Sequence, residues 1–357
     1  MHKKTVSPLV IGDITINPPI IQGGMGVRVS GANLAAAVAN TGCAGVIAAA
    51  GLSHFEDMPG AEFAKANEVA LFAEIKKARS LSNGIIGVNI MVAMADYDNL
   101  VKAAVKGDVD MIISGAGLPM DLPALVGEKD IKLIPIVSSV RTFNIICKRW
   151  LSRYSRLPDA VIVEGPKAGG HLGYSYEEIE SNTADSLENI VSEVLELANS
   201  FEKPIPVIAA GGIFDGEDIM KFLTLGAAGV QMATRFVCTD ECDAHINFKN
   251  MYLNSAKTGL SIIKSPVGLP GRVVYNDFVE QIKNGKRIPF KCNYKCLRTC
   301  NPAKAPYCIA EVLANAALGK LDKSFAFAGT NAKRCSKIIP VAELVETLIK
   351  EMQDASA

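Results

Sequence analysis

Eight short apolar runs, each bounded by Gly, Pro or Asn, recur over the first two-thirds of the chain and constrain its fold more than any other feature. They are PPIIQGG (18–24), AGVIAAAG (44–51), GIIGVNIM (84–91), VDMIISGAG (109–117), KLIPIVSS (132–139), AVIVEG (160–165), PVIAAGG (206–212) and AGVQMATRF (228–236). None alternates polar and apolar residues, so each reads as a strand buried on both faces, like parallel strands beneath helices. Stretches with helical patterning lie between them, at 32–42, 62–84, 96–107, 141–156, 186–203 and 216–226. Strand–helix alternation repeated about eight times predicts an α/β fold, the (β/α)8 TIM barrel. A doubly wound open sheet is the rival, but eight units in ~240 residues favour closure, since a barrel usually takes ~250. The opening VSPLVIGDITI (6–16) is expected to cap the barrel floor as a hairpin.

After residue 240 the rhythm stops. A helical piece (241–256) leads to SIIKSPVGLPGRVV (261–274), the cysteine-rich KCNYKCLRTCNPAKAPYC (291–308) and a small helix (308–319). We assign 1–240 to the barrel and 241–330 to a smaller, mostly helical, Cys-rich C-terminal lid. The amphipathic stretch 340–353 is expected to return to the barrel wall.

Charge narrows the partners. Lys plus Arg equals Asp plus Glu, 37 each, so no bulk basic field exists to hold nucleic acid or an anionic membrane. The longest mild stretch, GANLAAAVANTGCAGVIAAAGL (31–52), contains Asn33, Asn40, Thr41 and several glycines and reads as helix, turn and strand, not a membrane span. Nine cysteines, an odd number spread unevenly, suit reduced thiols in a cytoplasmic protein. The expected partner is a small-molecule substrate, and a homodimer is compatible with the sequence.

In such a barrel the active site lies at the C-terminal ends of the strands. Those ends carry Gln22-Gly23-Gly24-Met25-Gly26, Asn89, Ser114 to Gly117, Ser138-Ser139, Ala210-Gly211-Gly212 and Ala233-Thr234-Arg235. The glycines either serve tight turns or let backbone approach a flat or phosphorylated ligand. AAGGIFDGEDI (209–219) joins two glycines to a helix N-terminus, and QMATRF (231–236) supplies a second set of free N–H groups. Loops in these positions form the phosphate cradle of barrel enzymes. Neither matches a P-loop, and GVNIM and GGMGV make no dinucleotide fingerprint.

The sixth run leads into EGPKAGGHLG (164–173). His171, in its glycine collar at a strand's C-terminal end, is the candidate acid–base group. Glu164 either orients the loop or faces the ligand. Lys167 either touches a phosphate or is an exposed lysine without a role. His2, His54 and His245 read as surface residues. Cys292, Cys296, Cys300 and Cys308 follow C-x3-C-x3-C-x7-C, which lacks the paired knuckles of common zinc sites and the usual ferredoxin spacing. Reduced thiols packing the lid is the first reading there, with a metal or iron–sulfur site the alternative, and no metal is assigned. Cys147, Cys238, Cys242 and Cys335 read as core or near-core thiols.

Taken together, IIQGGMGVRVSGANLAAAVANTG, GVNIM, EGPKAGGHLG, PVIAAGGIFDGEDI and GVQMATRF resemble, in order and spacing, the nitronate monooxygenase (2-nitropropane dioxygenase) family. The flavin-dependent class of enoyl-acyl carrier protein reductase shares the plan, and SPVGLPGR (265–272) carries the resemblance into the lid. The resemblance implies an FMN-bound barrel with Gly24 and Met25 against the isoalloxazine and Asn89 on its ring or ribityl side. Gly211, Gly212, Ala233 and Thr234 would hold the phosphate. Gly23, Glu164, Ala168, Gly169, Gly170, Ala210, Gln231 and Met232 would complete the cofactor site. His171 falls on the family's active-site histidine, placed to remove the α-proton of a nitroalkane or to bind a nitronate oxygen. The implied reaction oxidises alkyl nitronates with O2 to a carbonyl compound and nitrite. An NAD(P)H-dependent enoyl-thioester reductase is the alternative, and a flavin-free phosphate-binding barrel is the alternative of another class. The chain departs from the family at Lys167, where an acidic residue is usual, at Ala233, where glycine is common, in its longer basic helix at 141–156, and in its Cys-rich tail.

Overall fold

The computed structural model describes residues 6–55, 63–292 and 295–356. The chain begins with an antiparallel hairpin, β1 (Leu9–Ile11) and β2 (Ile14–Ile16), turned at Gly12, whose φ of 63° suits glycine. Leu9, Ile11 and Ile16 are fully buried and pack with Ile21, Met111, Ile113, Ile134, Ile162 and Ile208 from the barrel strands. The hairpin thus plugs the barrel, as its apolar alternation predicts.

All eight apolar runs are strands: β3 (Ile20–Gln22), β4 (Gly45–Ala48), β5 (Ile86–Met91), β6 (Met111–Gly115), β7 (Lys132–Val137), β8 (Val161–Glu164), β10 (Val207–Ala210) and β11 (Gly229–Met232). The two-residue β9 (Gly170–His171) lies between β8 and β10 in the chain. The parallel ladder runs β3-β11-β10-β8-β7-β6-β5-β4. It closes where Ile21 bridges Ala44: the Gln22 N–H reaches the Ala44 carbonyl at 2.9 Å and the Ala44 N–H reaches Ile20 at 3.0 Å. The buried Gln22 side chain continues this seam, its Oε1 accepting from the Val46 N–H at 3.0 Å.

The outer ring comprises α1 (Ala32–Ala39), α2 (Phe63–Leu81), α3 (Tyr97–Gly107), α4 (Leu122–Val126), α5 (Val140–Tyr154), α6 (Tyr176–Glu180), α7 (Leu187–Asn199), α8 (Gly216–Leu225) and the four-residue α9 (Thr234–Val237). The short α4 and α6 were not legible in the sequence, because five residues carry no helical period. The lid begins with α10 (Ile246–Thr258), continues through β12 (Leu260–Lys264), β13 (Pro270–Val274) and α11 (Asp277–Lys283), and includes α12 (Ile309–Ala317). Its own apolar cluster includes Ile263, Val273, Phe278, Tyr307, Val312 and Phe325. The final helix, α13 (Val341–Ala355), packs against α8 and α1, where α9 is too short to cover the sheet. Glu351 fixes it there, accepting from the Gly216 N–H at 3.0 Å and pairing with Arg235 at 3.1 Å.

The hairpin β12–β13 is the main addition to the helical picture of the lid. Pro266, Gly268, Pro270 and Gly271 mask its strand pattern. Its third partner comes from the barrel: β13 pairs antiparallel with β9, Gly271 opposite His171 and Arg272 opposite Gly170. The lid therefore holds the histidine loop by main-chain bonds.

Candidate active site

The strand ends converge on one cavity of about 270 Å³. Its wall includes Gly23, Gly24 and Met25 after β3, Asn89 of β5, Glu164 of β8, and Ala168, Gly169, Gly170 and His171. Ala210, Gly211 and Gly212 after β10 and Gln231, Met232, Ala233 and Thr234 around β11 complete the set, so every candidate site residue stands on this wall. Lys167 is exposed and does not line it. His245 is exposed and caps α10 through Nδ1, which accepts from the Asn247 N–H at 3.1 Å. His2 and the His54 side chain lie outside the described residues.

One side of the cavity is shaped by missing side chains. A Cβ on Gly24 would lie 2.4 Å from the Asn89 Cβ, and one on Gly23 would crowd Gln231 at 3.3 Å. Neither position accepts a larger residue without moving a cavity side chain. Gln231 Oε1 is buried and has no hydrogen-bond partner in the protein, a state that costs roughly 1–3 kcal/mol unless a ligand supplies a donor. Across the cavity Gly211 and Gly212 have φ of 96° and 90°. That turn is left to glycine, and among the described residues the N–H groups of Gly212 and Thr234 find no acceptor. Converging free N–H groups at the start of a helix attract an anion.

His171 sits between barrel and lid. Its Nε2 is 2.8 Å from Ser265 Oγ, and its ring meets Phe327 edge-on with centroids 4.8 Å apart. Tyr252 of α10 donates its hydroxyl proton to the Phe327 carbonyl, holding that neighbour in place. Burial pulls the His171 pKa down to about 4, because imidazolium loses its hydration and gains no carboxylate. The ring is neutral at physiological pH. Burial acts oppositely on Glu164 and raises it to about 8. No side chain among the described residues pairs with that carboxyl, while the Glu164 carbonyl accepts from the Tyr174 hydroxyl at 2.8 Å.

The loop between these two groups is pinned by a residue to which sequence reasoning gave no role. Arg272 is buried, and its Nη1 donates to the Pro166 carbonyl at 2.8 Å and also to that of Ala168. The sequence showed SPVGLPGR without its target, 106 residues earlier. The segment 327–331 was missed altogether. Phe327, Ala328 and Gly329 line the cavity, the Gly329 N–H donates to Thr234 Oγ1 at 3.2 Å, and Asn331 Nδ2 donates to the Gly212 carbonyl at 2.6 Å. Its one sequence signal was a run of small residues, FAFAGTN, in a lid otherwise rich in charge. Cys147, Cys238, Cys242 and Cys335 are buried, whereas Cys292, Cys296, Cys300 and Cys308 are half-buried. Among the described residues no three His, Cys, Asp or Glu side chains stand together as a metal site would require, and no helix is long and apolar enough to cross a membrane.

With this geometry in view, comparison with known proteins is informative. The family profile "Nitronate monooxygenase" matches residues 7–351. A Mycobacterium tuberculosis protein named (3aS,4S,5R,7aS)-5-hydroxy-7a-methyl-1-oxo-octahydro-1H-indene-4-carboxyl-CoA dehydrogenase is 30% identical over 77% of this chain and 68% of its own. A probable nitronate monooxygenase of Staphylococcus saprophyticus is 26% identical over 78% of this chain and 81% of its own. Among solved structures, FabK from Thermotoga maritima superposes with a TM-score of 0.73 at 29% identity, covering 94% of this chain and 93% of that one. The nitroalkane oxidase of Streptomyces ansochromogenes, at 22% identity and a TM-score of 0.73, covers 94% and 96% and shares the fold. A profile match over nearly the whole chain, on a closed barrel whose strand ends all meet at one cavity, identifies the chain as an oxidoreductase of the nitronate monooxygenase family.

Proposed function

We propose that this protein is an FMN-dependent oxidoreductase of nitronate monooxygenase type, oxidising alkyl nitronates with O2 to a carbonyl compound and nitrite. The observation that carries the reading is the neutral, Ser265-bound His171 on the cavity wall. The residues present fit the cofactor. Gly211, Gly212, Ala233 and Thr234 would hold its phosphate, Gly23, Gly24 and Met25 would lie along the ring, and Asn89 and Gln231 offer amides to its polar edge. The unpartnered Gln231 Oε1 and the Cβ-free cradle at Gly24 support this fit. When bound, FMN supplies an acceptor for the electrons that leave the substrate and passes them to O2.

His171 would orient the substrate. Ser265 Oγ accepts from the Val267 N–H at 3.3 Å, which leaves the serine proton free to point at Nε2. Nδ1 then carries the ring hydrogen and donates it to a nitronate oxygen. A base with a pKa near 4 removes a carbon-bound proton poorly. The site therefore suits the nitronate anion better than the neutral nitroalkane.

The test is the visible spectrum of the FMN-loaded protein under anaerobic conditions, with ethylnitronate, nitroethane and NADH added separately. Bleaching by ethylnitronate, with nitrite release once air is admitted, supports the reading. Bleaching by NADH alone would replace it with the thioester reductase, a reading that the coenzyme A-linked relative and the FabK likeness favour. No flavin band after incubation with FMN would return the chain to the phosphate-binding barrels.

A further inference from the structure

The cavity wall has two unlike halves. The barrel contributes glycine-rich loops and the amides of Asn89 and Gln231. The lid contributes the underside of its own apolar cluster: Val267, Leu297, Ile309, Leu313 and Phe327 belong to that cluster and also line the cavity.

This roof is fastened down. Thr299 Oγ1 donates to the Val267 carbonyl at 3.0 Å. The Ala95 N–H donates to the Cys296 carbonyl at 3.0 Å and the Arg298 N–H to that of Ala93 at 2.9 Å, while Leu297 bridges Met94. Leu297 is thereby held against the loop after β5. Tyr252 holds Phe327 through its carbonyl. Apolar side chains on a fixed backbone keep a defined shape, so they select among ligands.

Polar groups are scarce on the roof. Of the lid residues on the wall, only Tyr252 and Cys296 carry a polar side-chain atom. The Tyr252 hydroxyl is engaged by the Phe327 carbonyl. Burial pushes the Cys296 thiol up to about 12, so it stays uncharged. Among the described residues no Lys or Arg lines the cavity. Lys286, Arg287, Lys291, Arg298 and Lys304 are near Leu297 in the chain, but all are exposed and off the wall. An anionic substituent would find no cation here, and the one carboxyl on the wall is that of Glu164.

His171 stands at the seam between the halves. Its ring meets Phe327 edge-on, and Ser265, which faces Nε2, is two residues before Val267.

We propose that this roof determines specificity, and that the substrate is a nitronate whose substituent is an apolar chain, about four carbons or more in the whole molecule, without a second charge. With the nitronate oxygens at His171, the chain lies along Phe327 and Val267 toward Leu297, Ile309 and Leu313. The identity of the reacting group rests on the nitronate reading, whereas the class of substituent rests on the roof alone. Each methylene carried from water onto the roof should raise kcat/KM about fourfold. The gain should appear in KM, because apolar contact remote from the reacting carbon is made equally in ground and transition states. A carboxylate in the same place leaves water without gaining a partner, which should lower kcat/KM on the order of 10²-fold.

The experiment uses the FMN-loaded full chain. Initial rates are measured with ethyl-, propyl- and butylnitronate and with the nitronate of 3-nitropropanoate. Calorimetry gives Kd for acetate, butanoate and succinate, which share with a nitronate a planar anion of two oxygens. kcat/KM is expected to rise about tenfold from ethyl- to butylnitronate and to collapse for the 3-nitropropanoate species. Butanoate should bind more tightly than acetate, and succinate, with the same four carbons, more weakly than butanoate. Leu313→Ala should flatten the dependence, lowering kcat/KM for butylnitronate more than for ethylnitronate. The wild-type series needs no variant to fold.

A flat or falling series of alkyl nitronates, or a 3-nitropropanoate species as good as butylnitronate, would overturn the proposal. So would failure of every carboxylate to bind, equal Kd for all three, or tightest binding of succinate, whatever the turnover. If the carboxylates follow the expected order while no nitronate is oxidised, the roof stands as the specificity surface and the nitronate reading falls.

Discussion

His171 and Ser265 are 94 residues apart in the chain and 2.8 Å apart in space, Nε2 against Oγ. The contact spans barrel and lid, and it fixes which ring nitrogen remains for the substrate. Nδ1 keeps its hydrogen whether the ring is neutral or protonated, so kcat/KM for a nitronate should show no break near 6.5, where an exposed imidazole titrates. Ser265→Ala removes the partner that orients the ring, so kcat/KM should fall while FMN content stays unchanged. A pH–rate series and a flavin titration on the two proteins check this, and an unchanged kcat/KM would show that Ser265 does not position His171.

His171→Ala should keep FMN bound, because the phosphate cradle lies on other loops. Turnover should fall by ~10²–10⁴, the usual range for a positioned proton-handling group. Flavin absorbance and nitrite release measured on one sample separate the two effects. Loss of flavin, with normal turnover after reconstitution, would remove His171 from the chemistry.

His171 and Glu164 act oppositely on stability. The folded pKa of His171, about 4, lies below its unfolded value of 6.5, so the unfolded chain binds the extra proton and stability falls as pH drops from 6.5 to 4. Glu164, at about 8 against 4.5, is protonated in the folded chain, so its contribution is lost as pH rises from 4.5 to 8. Glu164→Gln, neutral at every pH, should raise Tm at pH 8 and leave it nearly unchanged at pH 4.5. Thermal melts at the two pH values decide it.

Gly211→Asp should expel FMN, because both a side chain and a negative charge would stand among the free N–H groups that the phosphate needs. Gly24→Ala is the milder companion. Its Cβ must displace Asn89 from 2.4 Å, so flavin affinity should fall with the fold intact. Fluorescence titration with FMN measures both, and full flavin retention in Gly211→Asp would refute the cradle.

Arg272→Met should destabilise the chain by about 2–4 kcal/mol, since it leaves the buried carbonyls of Pro166 and Ala168 without a donor. Denaturant melts give the magnitude. Proteolysis confined to 165–171 would show that the loss is felt where the guanidinium binds.

The eight strands were legible because burial on both faces leaves a continuous apolar run, which needs no knowledge of partners. The cavity wall was legible for a related reason. Gly24, Gly211 and Gly212 are glycines because backbone or side chains come too close for a Cβ, and strand ends in a barrel all point the same way. The hairpin β12–β13 was hidden because proline and glycine interrupt it and because its third strand, β9, is two residues of a distant loop. Ser265 and Arg272 showed only as the ends of SPVGLPGR, without their targets, and Phe327 not at all, since a hydrogen bond or ring contact across ~100 residues leaves no periodicity in either segment.

The sequence by itself determined the closed barrel, the convergence of its glycine-rich ends and the place of His171 among them. Those follow from local spacing and from the hydrophobic effect acting on each segment separately. Only the tertiary structure decided the charge state of His171, the nitrogen it offers, the neutral form of Glu164 and the Cys296 segment's position over the cavity. Burial and pairing with lid residues set all four, and neither exists until barrel and lid have packed together.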